Sequence, residues 1–233
     1  MTTLSIIIPV LNEGEHLAHK LDLLQPLRSQ GVELVVVDGG SRDDTVAQAQ
    51  GLADQVLSAP RGRASQMNTG ARAACGQALL FLHADTVLPP RAHECVLAAL
   101  ALQTQAWGRF DVRIDSQQPI LAVVSWAMNT RSRWTGIATG DQAMFMHRSL
   151  FERVGGFPDL PLMEDIAISR RLKRLGRPLC LRERASTSAR RWEQHGVWRT
   201  IWLMWRLRAA FFLGADPHQL ARHYGYVPRE TQT

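Results

Sequence analysis

The chain is short of cysteine, of leader-like sequence and of long uncharged apolar runs, and each shortage removes a class of protein. Its three cysteines, Cys75, Cys95 and Cys180, are odd in number and widely spaced. They suggest neither a disulfide framework nor a zinc site, and a reducing, cytoplasmic setting fits them best. The opening Met1-Thr-Thr-Leu-Ser has no basic stretch and runs into what reads as a core strand, so no secretory leader is expected. No repeat, low-complexity tract or linker is visible, and no nucleic-acid-binding motif appears, so no nucleic-acid partner is expected. The most apolar tail segment carries Arg199, Arg206 and Arg208, which would be costly in hydrocarbon, so it is not a membrane span.

What is present describes a globular protein: 233 residues, 45% hydrophobic and 21% charged, enough for a sizeable core. The net charge of +6 is unevenly spread. From Ile166 onward there are 14 Lys/Arg against 4 Asp/Glu, and before it 13 against 17. A basic C-terminal third suits an anionic partner, such as a phosphorylated ligand, an acidic lipid surface or a nucleic acid, or else a solvated helical face.

Short apolar runs alternate with helix-like segments through the first hundred residues. Leu4 to Pro9, Glu33 to Asp38, Gln55 to Ser58 and Ala78 to His83 read as buried strands. Helices are predicted over Glu13 to Ser29, after Ser41 as an N-cap, and over Ala64 to Cys75. Such alternation implies a mostly parallel sheet with helices on both faces, a Rossmann-like α/β fold. Ligands of these sheets sit beyond the C-terminal strand ends. Three polar clusters fall there: Pro9-Val-Leu-Asn12-Glu13, Asp38-Gly39-Gly40-Ser41 and His83-Ala84-Asp85.

Beyond Trp107 the pattern changes. Trp107 to Asp115 alternates as a half-buried strand, and Thr139 to His147 reads as another. Helices are predicted over Gln118 to Arg133, Ser149 to Val154, Met163 to Leu175 and Trp192 to Leu213. One domain over residues 1–192 with a helical extension, 193–233, packed on it is the simplest arrangement. Trp198, Trp202 and Trp205 form a stripe at helical spacing that suits a core or dimer contact, with an interfacial helix as the alternative.

These clusters resemble the family 2 glycosyltransferases, which have the GT-A fold. The likeness spans about residues 4 to 192. It rests on Ser5-Ile-Ile-Ile-Pro-Val-Leu-Asn-Glu13, Val36-Val-Asp38-Gly-Gly-Ser41, Asn68-Thr-Gly70 leading to His83-Ala84-Asp85, Gly155-Gly-Phe157, and Glu164-Asp165. Ser188-Ala-Arg-Arg191-Trp192, Gly140-Asp141-Gln142 and the Trp-rich tail look closer still to a bacterial subgroup linked to arsenosugar biosynthesis.

The resemblance implies an inverting transfer from a nucleotide-diphosphate sugar, a UDP-sugar first, to a small or lipid-linked hydroxyl acceptor. Pro9, Asn12, Glu13, Asp38, Arg63, Asn68, His83, Ala84 and Asp85 would bind the nucleotide sugar. Asp85, with His83, would hold Mn²⁺ or Mg²⁺. Asp165 would be the catalytic base supported by Glu164, and Gly140, Asp141, Gln142, Arg191 and Trp192 would serve the acceptor and the leaving diphosphate. A cytoplasmic enzyme, peripheral at the inner face of a membrane through its C-terminal helix, is one location this allows; the oligomeric state is open.

Two departures from the family pattern reduce the site's negative charge: Gly39 stands where a second Asp is usual, and His83 stands for the first Asp of D-x-D. His83 is either a metal or phosphate contact or a core histidine. A nucleotidyltransferase acting on a sugar phosphate, or a membrane-surface binding module, are the rival functions. The first is disfavoured by the acidic loop Pro9-Val-Leu-Asn-Glu-Gly-Glu, where a basic, Gly-rich loop would be needed.

Overall fold

The computed structural model describes residues 3–103 and 105–226. The elements follow in the order β1 (Leu4–Val10), α1 (Gly14–Asp22), α2 (Gln25–Arg28), β2 (Glu33–Asp38), α3 (Thr45–Ala49), β3 (Gln55–Ser58), α4 (Arg63–Ala73), β4 (Ala78–Phe81), β5 (Thr86–Val87) and α5 (Ala92–Leu100). Then come β6 (Trp107–Asp115), α6 (Pro119–Thr135), a 3-10 turn (Gly140–Gln142), β7 (Phe145–His147), α7 (Arg148–Arg153), α8 (Glu164–Leu172), β8 (Leu179–Ser188), α9 (Arg190–His195), α10 (Val197–Phe212) and α11 (Pro217–His223).

The strands form one sheet in the order β3-β2-β1-β4-β7-β6-β8-β5. The first four run parallel. β7 is antiparallel to both β4 and β6, β8 is parallel to β6, and β5 is antiparallel to β8. This is the mixed α/β sheet of a GT-A fold.

The apolar runs of β1, β2 and β4 are continuous because both their faces are covered. Ile6, Ile8, Leu34, Val36 and Leu80 point to a core shared with α1, α2 and α5. The intervening Ile7, Val35, Val37, Leu79 and Phe81 point to a second core with α4, α7 and α8. A strand alternates its side chains between faces, so two cores need two apolar sets. A smaller cluster joins Ile137, Leu162, Met163 and Ile166 to Leu207 of α10 and Leu220 of α11. Another joins Ile114 of β6 and Leu121 and Val124 of α6 to Trp192 and Ile201.

Four of the predicted segments take a different form, each for a local reason. The helix expected over Glu13 to Ser29 is two helices, since Pro26 lacks the amide that would continue the ladder and starts α2 instead. Ser41 caps no helix: its hydroxyl donates to Asp38 and accepts the Asn12 amide, and α3 begins only at Thr45. The strand expected over Thr139 to His147 shrinks to Phe145–His147, because the Thr139 hydroxyl and Gln142 carboxamide form a capping box around the 3-10 turn. The tail helix breaks at Gly196, whose φ of 80° suits glycine. Its Trp198, Trp202 and Trp205 are 74%, 65% and 73% exposed, so none of them enters the core of this chain.

Candidate active site

The parallel strands end on one side of the sheet, and the loops there are stitched together. The Asn12 carboxamide accepts the Arg42 amide, Glu13 donates its amide to Thr45 Oγ1, and Gly14 donates its amide to Asp43. Beneath them Gln66 of α4, 3% exposed, donates to the carbonyls of Val10 and Val37 at 2.8 Å each. That bridge explains Gly39. A Cβ at position 39 would lie 3.0 Å from the Gln66 carboxamide, so a side chain there would press on this bridge unless Gln66 shifted.

A cavity of about 780 Å³ opens between these loops, the 3-10 turn, α6, α8, α9 and α10, a size that suits a substrate-sized ligand. Five carboxylates line it, Glu13, Asp85, Asp141, Glu164 and Asp165, as do five guanidinium groups, Arg63, Arg131, Arg190, Arg191 and Arg208. They reach the cavity from several segments, with Glu164 and Asp165 sharing α8 and Arg190 and Arg191 sharing α9. Glu13 leaves β1 and meets Arg190 at 3.4 Å. His83 and Asp85 follow β4, and His83 Nδ1 lies 3.3 Å from Asp141 Oδ1. Close approach of backbone to ring makes this possible, since a Cβ on Gly140 would lie 2.1 Å from the His83 ring.

Asp165 sits in the first turn of α8 and accepts the Gly140 amide at 3.0 Å. Its neighbour Glu164 is 4% exposed. Burial first, and the adjacent Asp165 second, push the Glu164 carboxyl above its usual range. Desolvation acts in the same direction on Asp141, whose side chain is 41% exposed, but the hydrogen bond and charge of His83, with Arg63 and Arg208, outweigh it and hold that carboxyl below the usual range. Arg63 is exposed at its surface; whatever desolvation it feels is outweighed by Glu164, Tyr224, Asp141 and Asp85, which keep the guanidinium firmly protonated. Carboxylates and guanidinium groups thus line one cavity together.

The family model for glycosyl transferase family 2 matches residues 5–155. The chain belongs to that family. It is 30% identical over 166 residues to a PGL/p-HBAD biosynthesis glycosyltransferase of Mycobacterium bovis (strain BCG / Pasteur 1173P2) and to one of Mycobacterium tuberculosis (strain ATCC 25618 / H37Rv). Those matches cover 66% of this chain and 60% of each relative, so the chain spans about 60% of the length of these curated relatives. Among solved structures it resembles S. aureus TarS 1-349 in complex with UDP, with TM-score 0.66 and 17% identity over 80% of this chain and 60% of that one. It also resembles the mannosyltransferase PcManGT from Pyrobaculum calidifontis in complex with GDP-Man and Mn²⁺, with TM-score 0.64 and 23% identity over 95% of this chain and 63% of that one.

Of the residues singled out in the sequence, this family 2 cavity gathers Glu13, Arg63, His83, Asp85, Gly140, Asp141, Glu164, Asp165, Arg191 and Trp192. The others lie elsewhere or are already engaged. Pro9 is buried within β1, and the Ala84 side chain packs against the core of α1 and α5. Asp38 is 4% exposed, and its carboxylate accepts from Gly40 and Ser41. Asn12 is exposed in a left-handed conformation. Asn68 exchanges two hydrogen bonds with the Phe157 backbone, at 2.8 and 2.9 Å. Gln142 is fully buried in its capping box. Arg191 reaches the cavity but stacks on Tyr224, 3.5 Å from the ring centroid, and donates to its carbonyl. Sequence reasoning missed Gln66, Tyr224, Arg131 and Arg208; the last two repeat at helical spacing along apolar stripes, which is the one signal that could have found them.

Among the described residues no three His, Cys, Asp or Glu side chains form a metal-holding group. The donors present suit a cation shared with a ligand: Asp85 offers a hard oxygen, met by the Thr86 hydroxyl at a long 3.3 Å, and His83 and Asp141 stand nearby. Mg²⁺ and its like are held in this way, by one or two carboxylates plus substrate phosphate oxygens.

Proposed function

We propose that the chain transfers a sugar from a nucleotide-diphosphate sugar to a hydroxyl acceptor, with inversion and with help from a divalent cation. The observation that carries this reading is one cavity lined both by Asp85, which follows a parallel strand, and by Asp165 at the start of α8, where it accepts the Gly140 amide. Residues 1–192 would hold the transfer machinery, with the helices after 192 closing its acceptor side. The PGL/p-HBAD names belong to relatives matched over part of their length, and the arsenosugar link rests on sequence likeness alone. The acceptor is therefore proposed by class.

In this mechanism Asp85, with His83, would hold Mn²⁺ or Mg²⁺ against the diphosphate, and the cation would supply positive charge to the departing oxygens. Arg63, kept charged by the carboxylates around it, would add a second positive group beside the diphosphate. Asp165 would take the proton from the acceptor hydroxyl on the face opposite the leaving group. The Gly140 amide would fix the orientation of that carboxylate, and Glu164 stands beside it with its carboxyl raised by burial and by Asp165. A UDP-sugar is the first donor to test, because UDP and UDP-GlcNAc occupy the TarS structures of like fold, with GDP-Man the second.

A cytoplasmic setting with peripheral contact at a membrane belongs to the same proposal. No helix among the described residues is long and apolar enough to cross a membrane. The exposed Trp198, Trp202 and Trp205 beside Arg199 and Arg206 support contact at an interface.

The deciding experiment is a panel of UDP-, GDP- and dTDP-sugars, with and without Mn²⁺, reading thermal shift and nucleotide diphosphate release. One donor with Mn²⁺ raises the melting temperature of the wild type, and Asp85→Ala removes the shift. If no nucleotide diphosphate or donor shifts the wild type with either metal, the reading fails.

A further inference from the structure

Two guanidinium groups in the cavity carry buried N–H groups that no described residue satisfies. Nε and Nη2 of Arg131 and Nε of Arg208 are buried without a hydrogen-bond acceptor among the described residues. Both line the cavity, Arg131 from α6 and Arg208 from α10. They are close enough for each charge to weigh on the other: burial first, and Arg208 second, pull the Arg131 guanidinium down to about 10. It is still charged at neutral pH. Asp165 and Asp141 attract these arginines electrostatically, but neither carboxylate bonds to them.

Buried N–H groups are ordinarily satisfied, and two like charges buried together without acceptors are unfavourable unless something anionic joins them. The surroundings describe the rest of that ligand. On α6, Ile120, Val124 and Met128 precede Arg131 at helical spacing and line the same cavity. On α10, Trp198, Ile201 and Trp205 precede Arg208 in the same way. Residues at such spacing share one helix face, so each helix presents an apolar stripe ending in an arginine. The two arginines lie at the end that feels Asp165 and Asp141.

We propose that Arg131 and Arg208 form an oxyanion subsite, binding the phosphate or carboxylate of an amphipathic acceptor whose apolar part lies between the facing stripes of α6 and α10. The proposal rests on the sugar-transfer reading for the word acceptor; the anion subsite itself does not. It would set specificity: an acceptor with its anion on this pair presents its hydroxyl toward Asp165, whereas an uncharged analogue leaves both arginines unpaired.

The test is calorimetric and thermal-shift titration of the full chain with n-octyl phosphate, inorganic phosphate and uncharged n-octyl glucoside. Each is measured alone and then with UDP and Mn²⁺ present. The wild type binds n-octyl phosphate saturably and n-octyl glucoside hardly at all. Arg131→Gln and Arg208→Gln each weaken n-octyl phosphate by about tenfold or more, the size of a lost charge-assisted hydrogen bond. Arg208→Lys keeps the charge and recovers part of the binding, which a purely structural role would not produce. Without ligand, Arg208→Gln melts no lower than the wild type, because it relieves a buried like-charge contact. Should one Gln variant fail to fold, the other reads the same site.

Inorganic phosphate binding as tightly as n-octyl phosphate, and equally dependent on both arginines, would assign the subsite to a small soluble phosphate and overturn the apolar half of the proposal. Equal binding of n-octyl phosphate to wild type and the Arg131→Gln/Arg208→Gln double variant would overturn it entirely, as would equal binding of n-octyl glucoside. If UDP with Mn²⁺ fails to shift the wild type, the donor reading falls alone, since the titrations without nucleotide still read the anion subsite.

Discussion

Asp165 Oδ2 accepts the amide hydrogen of Gly140 at 3.0 Å, tying the first turn of α8 to the 3-10 turn that carries Asp141. One bond thus joins the carboxylate placed to deprotonate an acceptor to the loop that meets His83.

Asp165→Asn should therefore separate chemistry from folding. The amide oxygen can still accept from Gly140, so the melting temperature stays near wild type. Turnover falls by about 10²–10⁴-fold, the usual contribution of a general base. Nucleotide diphosphate release at saturating donor, beside donor affinity, checks this. A variant that keeps most of its turnover would remove Asp165 from the mechanism.

Glu164 gives a pH-dependence. Burial and Asp165 raise its carboxyl above the unfolded value. Between those two values the folded chain holds the proton more tightly than the unfolded one, so stability falls as pH rises through that window. Urea unfolding at several pH values should show this decline in the wild type and a smaller one in Glu164→Gln. Parallel profiles for the two proteins would contradict it.

Behind the cavity, Arg109 is fully buried and pairs with Asp111, which also meets Arg133 at 2.6 Å. Asp111→Ala leaves that buried guanidinium uncompensated. Equilibrium denaturation should register a loss of about 3–5 kcal/mol, as for other broken buried pairs. A loss below 1 kcal/mol, the ordinary scale of an exposed pair, would mean water reaches Arg109.

Asn68 exchanges its two bonds with Phe157, 89 residues further along the chain. Asn68→Ala strands both backbone groups and should cost about 1–3 kcal/mol of stability. UDP affinity, measured with Mn²⁺, should change little, because the side chain does not line the cavity. A large drop in affinity at unchanged stability would restore Asn68 to the nucleotide site.

The sequence was most legible where local signals and tertiary burial agree. β2, β3 and β6 have the predicted bounds, since their apolar or alternating runs meet the cores they imply. β8 went unseen because Arg182, Glu183 and Arg184 are exposed mid-strand, and its place is fixed by pairing with β6 and β5 rather than by its own pattern. Of the carboxylates read from strand ends and helix starts, Asp85 and Asp165 line the cavity. Asp38 and Asn68 looked the same in sequence, yet their hydrogen bonds serve the backbone of their own loops or of Phe157. Arg131 and Arg208 were hidden by the reverse effect: each stands on an ordinary amphipathic helix, and only the meeting of α6 and α10 makes their isolation visible.

The contact between Gly140 and the His83 ring makes positions 83 and 140 one choice rather than two. A methyl group at 140 would overlap the imidazole, so Gly140→Ala is tolerated only if residue 83 becomes smaller or turns away. The effects of changing each position should then be strongly non-additive. The residue at either position therefore limits what the other can be.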